Sequence, residues 1–302
     1  MPAGRFSLTE EGGRLPRKCD DSLITRLCVN YDCHFCPILV RMGFLLALLQ
    51  KTIERAGFIL ARKSTFEQAK GNFSRDFELI RRYSSPSLLP HVVDVLQESR
   101  AQFRQDVFAL AESRFKHKGF FVEFGGTDGV TGSNSYLLES EFAWNGIVAE
   151  PASRFHADLK ANRNCVLDFR AVWSHTGETL AFKEAKIGAL STFQFLESKD
   201  HYRAHRKKGK IYPVETVSLV DLLDQAGAPQ EIDYISLDTE GSELAILLAF
   251  DFSRYQFNAI TVEHNFSRNR TAIRTCLEEA GYRQVHADIS GVDDWFVPVS
   301  RR

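Results

Sequence analysis

The sequence has little net charge and no apolar run long enough to cross a membrane. Its formal net charge is -1 over 302 residues, so charge gives no reason to expect nucleic acid or a membrane surface as a partner. The longest apolar stretch, "CPILVRMGFLLALL", is interrupted by Arg41 and is shorter than the roughly 20 residues of a spanning helix. No apolar signal core precedes Pro16. We therefore expect a cytoplasmic protein without a membrane span.

Cysteine is scarce: the sequence has six, and four of them lie within the first 36 residues. These four are Cys19, Cys28, Cys33 and Cys36. Four thiols can form a tetrahedral zinc site, but the separation of the first two is too wide for a usual zinc knuckle. Reduced thiols in a polar tail are the second interpretation, which a reducing compartment favours. We therefore predict no metal ligands here.

The periodicity of the apolar residues changes at Gly119. Before it, apolar residues recur three and four positions apart, which is typical of amphipathic helices. The predicted helical segments are 38–62, 74–84 and 88–115. We therefore predict an N-terminal tail and helical region over residues 1–115, followed by a separate α/β domain over residues 116–302.

After Gly119, short β-rich runs alternate with helical segments. The runs are "GFFVEF", "WNGIVAEP", "NCVLDFRAVWS", "IDYISLD" and "FNAITVEH". This alternation predicts βαβ units and a doubly wound parallel sheet. The last two runs, "YRQVHAD" and "DDWFVPV", are joined by only four residues, too few for a crossover helix, so this pair is predicted to be antiparallel. Residues 186–217 are predicted to form an insertion with a hairpin and a loop.

The stretch "VEFGGTDG" joins the first β-run to the first helix. Gly125 and Gly126 allow a tight turn and close approach of a ligand, and the following helix offers free backbone N–H groups. Thr127 stands where a dinucleotide fingerprint needs its second glycine, and no Gly-Lys-Ser/Thr of a P-loop follows. Glu123 would repel a pyrophosphate, so the turn favours a cationic nucleoside such as S-adenosylmethionine.

The next two β-runs carry further candidates for nucleoside binding. Glu150 ends the second run, at the spacing at which an acid takes the ribose hydroxyls in doubly wound folds. The third run offers a floor for the adenine, with Asp168, Phe169, Ala171 and Val172 as candidates. Glu150 alone has a simpler explanation as a cap of the following helix, and only its combination with the glycine turn favours a nucleoside site.

Three carboxylates, Asp238, Glu240 and Glu243, gather in "IDYISLDTEGSELAIL" at the end of the fourth run. In a doubly wound sheet the first and fourth strands flank the point where ligands bind, so Asp238 is predicted to face the glycine turn. An acidic group that interacts with the helix dipole is the alternative, and it suffices for Glu243.

Together these segments resemble the FkbM family of S-adenosylmethionine-dependent methyltransferases. The resemblance rests on "FFVEFGGTDG", "GIVAEP", "ETVSLVDLL", "IDYISLDTEGSELAIL" and "ITVEHNF" and covers about residues 100–298. It implies the class I methyltransferase fold, seven strands with the last antiparallel. It also implies that Glu123, Gly125 and Asp128 line the methionyl part of the cofactor and that Glu150 holds the ribose. Where Glu123 and Gly126 stand, the family more often has Asp and Ala.

The resemblance further implies methyl transfer to a hydroxyl oxygen, often on a sugar or a polyketide. Such a transfer needs a group that takes the proton, and Asp238 and His264 are our candidates, with Glu240 and Glu263 as lesser ones. A divalent cation bound by Asp238, Glu240 and Glu263 is an alternative. The expected partner is a small-molecule or glycan acceptor. A nicotinamide-dependent oxidoreductase and a non-enzymatic binding module are the rival functions, and the basic loop 201–210 is a further candidate binding segment.

Overall fold

A computed structural model describes residues 63–185, 190–196 and 209–300, with side chains from residue 72 onward. The predicted helix over 38–62, the four N-terminal cysteines and most of the basic loop 201–210 lie outside these residues. A compact unit spans Glu67–Arg302. In the described part, no helix has both the length and the apolarity that a membrane crossing requires. Its cysteines, Cys165 and Cys276, are not in a disulfide.

Three helices precede the first strand: α1 (Lys63–Arg82), α2 (Leu89–Leu96) and α3 (Gln105–Glu112). The prediction of one continuous helical stretch over 88–115 is wrong in its middle. The chain leaves the helix after α2, and Arg104 adopts a left-handed backbone conformation with φ 66° just before α3. The buried Asp106 carboxylate accepts hydrogen bonds from the intervening loop instead, which competes with helix formation there.

The described residues form thirteen strands. They are β1 (Phe120–Phe124), β2 (Asn145–Ala149), β3 (Val166–Asp168), β4 (Ala171–Trp173), β5 (Thr179–Glu184), β6 (Thr192–Phe193), β7 (Lys210–Ser218), β8 (Glu231–Ile232), β9 (Tyr234–Leu237), β10 (Gln256–Phe257), β11 (Ile260–Glu263), β12 (Tyr282–Val285) and β13 (Asp293–Pro298). The later helices are α4 (Tyr136–Phe142), α5 (His156–Asn162), α6 (Leu219–Gln225), α7 (Glu243–Ala249) and α8 (Arg270–Glu279).

The central sheet has seven strands in the order β12-β13-β11-β9-β1-β2-β3. Its strands pair in parallel, except that β13 runs antiparallel to both β11 and β12. The order reverses between β1 and β9, which is the switch point at which doubly wound sheets bind ligands. This order and the one reversed strand are those of the class I methyltransferase fold, so the predicted fold is confirmed.

A second sheet, in the order β4-β7-β5-β6, comes from the predicted insertion and the residues before it. Strands β6 and β7 of the insertion each pair antiparallel with β5, which precedes the insertion. The run "NCVLDFRAVWS", predicted as one strand, is instead divided between the two sheets. Asp168 accepts from the backbone N–H of Arg170 at 2.8 Å and also pairs with its guanidinium. That local turn ends β3 and redirects the chain into β4.

The helices α1 to α3 pack on one face of the central sheet. Leu79 and Val92 belong to the same buried cluster as Phe121 of β1, and the ring of Phe108 stacks on Trp295 of β13 with 4.8 Å between centroids. The opposite face of the sheet is covered by a second buried cluster that includes α6, α7 and α8. These helices, which precede the predicted boundary at residue 116, thus bury apolar side chains against the sheet.

Candidate functional site

A cleft opens at the carboxyl ends of β1, β2 and β9, beside the switch point of the sheet. The cavity proper has a volume of about 150 Å³, and the space within the cleft reaches about 860 Å³ when the part open to solvent is counted. The lining residues are Gln102, Phe124, Gly125, Thr127, Thr131, Gly132, Ala149, Glu150, Pro151, Ala171, Val172, Phe182, Ser191, Phe193, Asp238, Thr239, Glu240 and Ser242.

The glycine turn forms one wall of this cleft. Gly125 has φ +75°, and a Cβ added there would lie 2.3 Å from the backbone oxygen of Asp238. A Cβ on Gly126 would lie 2.3 Å from Cγ1 of Val148. Glycine at position 125 lets the ends of β1 and β9 approach, and a larger residue at position 126 would require Val148 of β2 to shift. Only Gly125 of the two lines the cleft.

Glu150 follows β2 and presents its carboxylate to the cleft. One carboxylate oxygen accepts from the backbone N–H of Thr127 at 2.9 Å and the other from that of Ala152 at 2.7 Å. The side chain is nearly fully buried, and burial raises the pKa of Glu150 to about 7, although these two hydrogen bonds act in the opposite direction. Each oxygen keeps a second lone pair with which a ligand hydroxyl can bond.

Glu123, predicted to contact the cofactor, is turned away from the cleft. Its carboxylate accepts from the hydroxyls of Ser133 and Ser135 and from the backbone N–H of Asn134. Arg163, which the sequence did not single out, lies 3.5 Å from the same carboxylate. Because these partners are all buried, Glu123 fixes the loop after the glycine turn instead of lining the cleft. No local sequence pattern could have revealed Arg163, because its contacts span 24 to 40 positions along the chain.

Two further acids that the sequence predicts to bind the cofactor form contacts within the protein instead and do not line the cleft. Asp128 accepts from the backbone N–H groups of Val130 at 2.9 Å and Thr131 at 2.7 Å and so closes the turn. Asp168 pairs with Arg170, and its backbone oxygen accepts from the N–H of Glu150 at 2.9 Å. Of the candidates on the third run, Ala171 and Val172 line the cleft, whereas Phe169 packs against His156 with 4.1 Å between ring centroids.

Asp238, Glu240 and Glu263 meet at the end of β9 and β11, with one carboxylate oxygen from each within 4.8 Å of the others. Burial, and next the charge of Glu240, raise the pKa of Asp238 well above its usual range. Burial and the charge of Asp238 do the same to the pKa of Glu263. Glu243 stands apart from this trio. It accepts from the backbone N–H groups of Thr239 and Gly241 and thereby holds the turn that carries Asp238 and Glu240.

His264, the other candidate base, lies outside the cleft. It is 3% exposed, and its Nδ1 accepts from the backbone N–H of Phe266 at 2.9 Å. Its Nε2 lies 3.5 Å from a carboxylate oxygen of Asp294, which is long for a hydrogen bond. The ring is thus directed toward β13, because the chain turns sharply after β11 through left-handed conformations at Asn265 and Phe266.

The second sheet supplies a wall of the cleft that the sequence did not predict. Phe182 of β5, together with Ser191 and Phe193 at β6, lines the cleft. The hydroxyl of Thr192 donates to the backbone oxygen of Glu240 at 2.8 Å, which fastens β6 to the acidic turn. The strand β6 has only two residues and both are buried, so period-two alternation could not have identified it.

The described lining of the cleft is acidic. Among the described residues that line it, the ionisable side chains are Glu150, Asp238 and Glu240, and none is Lys, Arg or His. Nucleotide phosphates are held by cationic side chains and by glycine-rich loops free of nearby acids. This lining suits a ligand with positive charge and fits a pyrophosphate poorly.

One family model matches the chain. Residues 123–284, more than half of the chain, match the model of the Methyltransferase FkbM domain. No curated protein matches the chain. The precorrin-6y C5,15-methyltransferase from Geobacter metallireducens GS-15 is similar in structure, with 13% identity, a TM-score of 0.35 and coverage of 60% of this chain and 71% of that one.

A mutant of MtNAS in complex with S-adenosylmethionine is similar over 85% of this chain and 79% of that one, with 12% identity and a TM-score of 0.28. Both TM-scores are low, so the fold assignment rests on the strand order of this chain itself. The domain match covers the glycine turn, Glu150 and the acidic trio, and it confirms the resemblance seen in the sequence. The chain therefore belongs to the FkbM methyltransferase family and has the class I methyltransferase fold.

Proposed function

We propose that this protein uses S-adenosylmethionine to methylate a hydroxyl group of a small-molecule or glycan acceptor. One observation carries the proposal: Gly125, Glu150 and Asp238, from three neighbouring strand ends, line a single cleft in which no described lining side chain is cationic. That combination fits a ligand that bears a ribose and positive charge. It disfavours the nicotinamide cofactor of an oxidoreductase, whose pyrophosphate would meet acids instead of cations.

The residues divide into those that would touch the cofactor and those that shape its site. Glu150 would accept hydrogen bonds from the ribose hydroxyls, and Ala171 with Val172 would pack against the adenine. Gly125 and the backbone beside it would receive the methionyl part. Four further predicted residues then support the site without touching the ligand. They are Glu123, Gly126, Asp128 and Asp168, which hold the turn or the strand ends.

Asp238 is the proposed general base, with Glu240 beside it. The cofactor would supply an electrophilic methyl group, so the chain itself has to orient the acceptor hydroxyl and remove its proton. A raised pKa makes the ionised Asp238 a stronger base. The charge of Glu240 opposes a negative charge on Asp238, whereas a hydrogen bond with Glu263 favours it, so an ionised Asp238 readily takes up the proton of the acceptor. His264 is not part of this proposal, because its ring lies outside the cleft.

The acceptor is proposed to be uncharged or cationic. An anionic acceptor would approach three carboxylates without a compensating cation among the described lining residues. Neutral polyols and sugars fit, because their hydroxyls both donate to carboxylates and accept from threonine and serine side chains. Nucleic acid is disfavoured for the same electrostatic reason.

A transfer assay with methyl-labelled S-adenosylmethionine tests the function. The full chain is incubated with a panel of sugars, glycosides and polyketide alcohols, and label is measured in each acceptor. We expect label on neutral hydroxyl acceptors and none when Asp238→Asn replaces the wild type. Label on an amine or a carboxylate acceptor alone would contradict methyl transfer to a hydroxyl. Cofactor binding without label on any acceptor would instead support a non-enzymatic binding module.

A further inference from the structure

The loop Ser99–Arg104, between α2 and α3, reaches the cleft from outside the domain predicted from sequence. We call it the Gln102 loop. Its residue Ala101 forms a parallel β-bridge with Gly132, in the segment that follows the glycine turn. Gln102 is exposed and lines the cleft beside Thr131 and Gly132. The helical N-terminal region thus contributes a side chain to the site.

The Gln102 loop is held firmly by hydrogen bonds at its N-terminal half. The buried carboxylate of Asp106 accepts from the hydroxyl of Ser99 at 2.7 Å and from the backbone N–H groups of Arg100 at 3.1 Å and Ala101 at 3.4 Å. A buried carboxylate with several such partners fixes the backbone around it. The position from which Gln102 projects is therefore set by the fold and not by a ligand.

The C-terminal half of the loop is anchored separately. The side chain of Gln105 accepts from the backbone N–H of Phe103 at 2.8 Å and donates to Asp293 at 2.6 Å. Arg104 bonds both carboxylate oxygens of Asp76, at 2.8 and 3.1 Å. Because both halves of the Gln102 loop are anchored, contact of Gln102 with a ligand costs little conformational entropy beyond that of its own side chain.

The chemistry of the cleft gives this side chain a partner. If the proposed function holds, the methionyl end of the cofactor brings a carboxylate and an ammonium to the glycine turn. Among the described lining residues no cationic side chain faces that carboxylate, so neutral donors have to satisfy it. A carboxamide offers both N–H donors and an oxygen acceptor and so matches this pair of charges. Thr127 and Thr131 offer only single hydroxyls at the same wall.

We propose that Gln102 is a cofactor-binding residue that recognises the aminocarboxylate of the methionyl group. This assignment rests on the proposed use of S-adenosylmethionine and deepens it. It also gives the helical N-terminal region a functional role, because α2 and α3 carry the loop from which Gln102 reaches the cleft.

Calorimetric titration of the full chain with two ligands tests the assignment. S-adenosylhomocysteine carries the aminocarboxylate, and methylthioadenosine lacks it but keeps the nucleoside. We expect Gln102→Ala to weaken S-adenosylhomocysteine about tenfold, equivalent to about 1.4 kcal/mol, and to leave methylthioadenosine within about twofold of the wild type. Gln102→Glu should weaken S-adenosylhomocysteine further, because it places a second negative charge beside the carboxylate.

Gln97→Ala is the matched control, since Gln97 is also exposed but does not line the cleft, and it should change neither affinity. Unchanged affinity of Gln102→Ala for S-adenosylhomocysteine would overturn the assignment, and so would an equal loss for both ligands. A raised KM for the acceptor with unchanged cofactor affinity would place Gln102 on the acceptor and also overturn it. A wild type that binds methylthioadenosine and S-adenosylhomocysteine equally would do the same. A wild type that binds neither ligand would contradict the proposed function itself.

Discussion

Replacement of Glu150 tests its proposed role in binding the ribose, and the surroundings of its carboxylate set the size of the expected loss of affinity. The carboxylate is buried, bonds two backbone N–H groups and keeps lone pairs toward the cleft. A hydrogen bond to a charged group contributes about 1.5–3 kcal/mol, so Glu150→Ala should weaken S-adenosylhomocysteine by roughly 10- to 150-fold. Glu150→Gln keeps the size of the side chain but removes its charge, and it should show most of the same loss.

The pH dependence of binding gives this prediction a second signature. Burial raises the pKa of Glu150 to about 7, so about a tenth of the carboxyl is ionised at pH 6 and about nine tenths at pH 8. The ionised form is the better acceptor for ribose hydroxyls, so affinity should rise about tenfold over this interval. Glu150→Gln should not show this rise. Because the ligand titrates equally in both experiments, subtracting the pH profile of the variant from that of the wild type removes the contribution of the ligand.

The stability of the folded chain should fall as pH rises, whereas the affinity for the ligand should increase. The pKa of Glu150 is about 7 in the folded chain, above the ordinary value of 4.5 that applies in the unfolded chain, so between these pH values the folded state binds more protons than the unfolded state. Stability is therefore lost as pH rises through this window, by an amount on the order of 3 kcal/mol. As pH rises, the unfolding free energy of the wild type should therefore fall relative to that of Glu150→Gln.

Calorimetry at several pH values measures the affinities, and urea unfolding measures the stabilities. Glu141→Ala is the matched control, because Glu141 is exposed on α4 and does not line the cleft, and it should leave both quantities unchanged. Wild-type affinity in Glu150→Ala would refute the reasoning, as would a pH dependence that persists unaltered in Glu150→Gln.

Three further predictions concern the acidic trio and its surroundings. Asp238→Asn should keep cofactor affinity but lower kcat by about 10²- to 10⁴-fold; wild-type turnover would exclude Asp238 as the base. His264→Gln should lower the melting temperature, because it replaces a buried ring, yet leave kcat within about threefold of the wild type. A large loss of turnover with an unchanged melting temperature would instead indicate that His264 takes part in catalysis. Chelation by EDTA should leave methyl transfer unchanged, because the trio is proposed to transfer a proton and not to hold a cation; loss of activity in EDTA and its recovery with added Mg²⁺ would identify Asp238, Glu240 and Glu263 as cation ligands.

The sequence predicts the sheet and the location of its cleft well, because both follow from local patterns. Strand runs that alternate with helices determine the parallel sheet, and four residues between the last two runs determine the antiparallel pair. Gly125, Glu150 and Asp238 each stand at the end of a run, and parallel strands bring such ends to one edge. Their meeting in one cleft therefore follows from topology alone.

The directions of individual side chains could not be predicted, because they depend on distant partners. Glu123 and Glu150 both end strands, yet the partners Ser133, Ser135 and Arg163 draw Glu123 away from the cleft. The approach of the Gln102 loop depends on Asp106 and on contacts with β13, neither of which leaves a periodic signal. The division of β3 from β4 depends on one ion pair in a run that otherwise reads as continuous.

A crystal structure of the full chain with bound S-adenosylhomocysteine tests the central claim most directly. We expect the ribose hydroxyls within hydrogen-bonding distance of the Glu150 carboxylate, the adenine against Ala171 and Val172, and the sulfur directed toward Asp238. A ligand bound outside this cleft, or a ribose that does not contact Glu150, would contradict it.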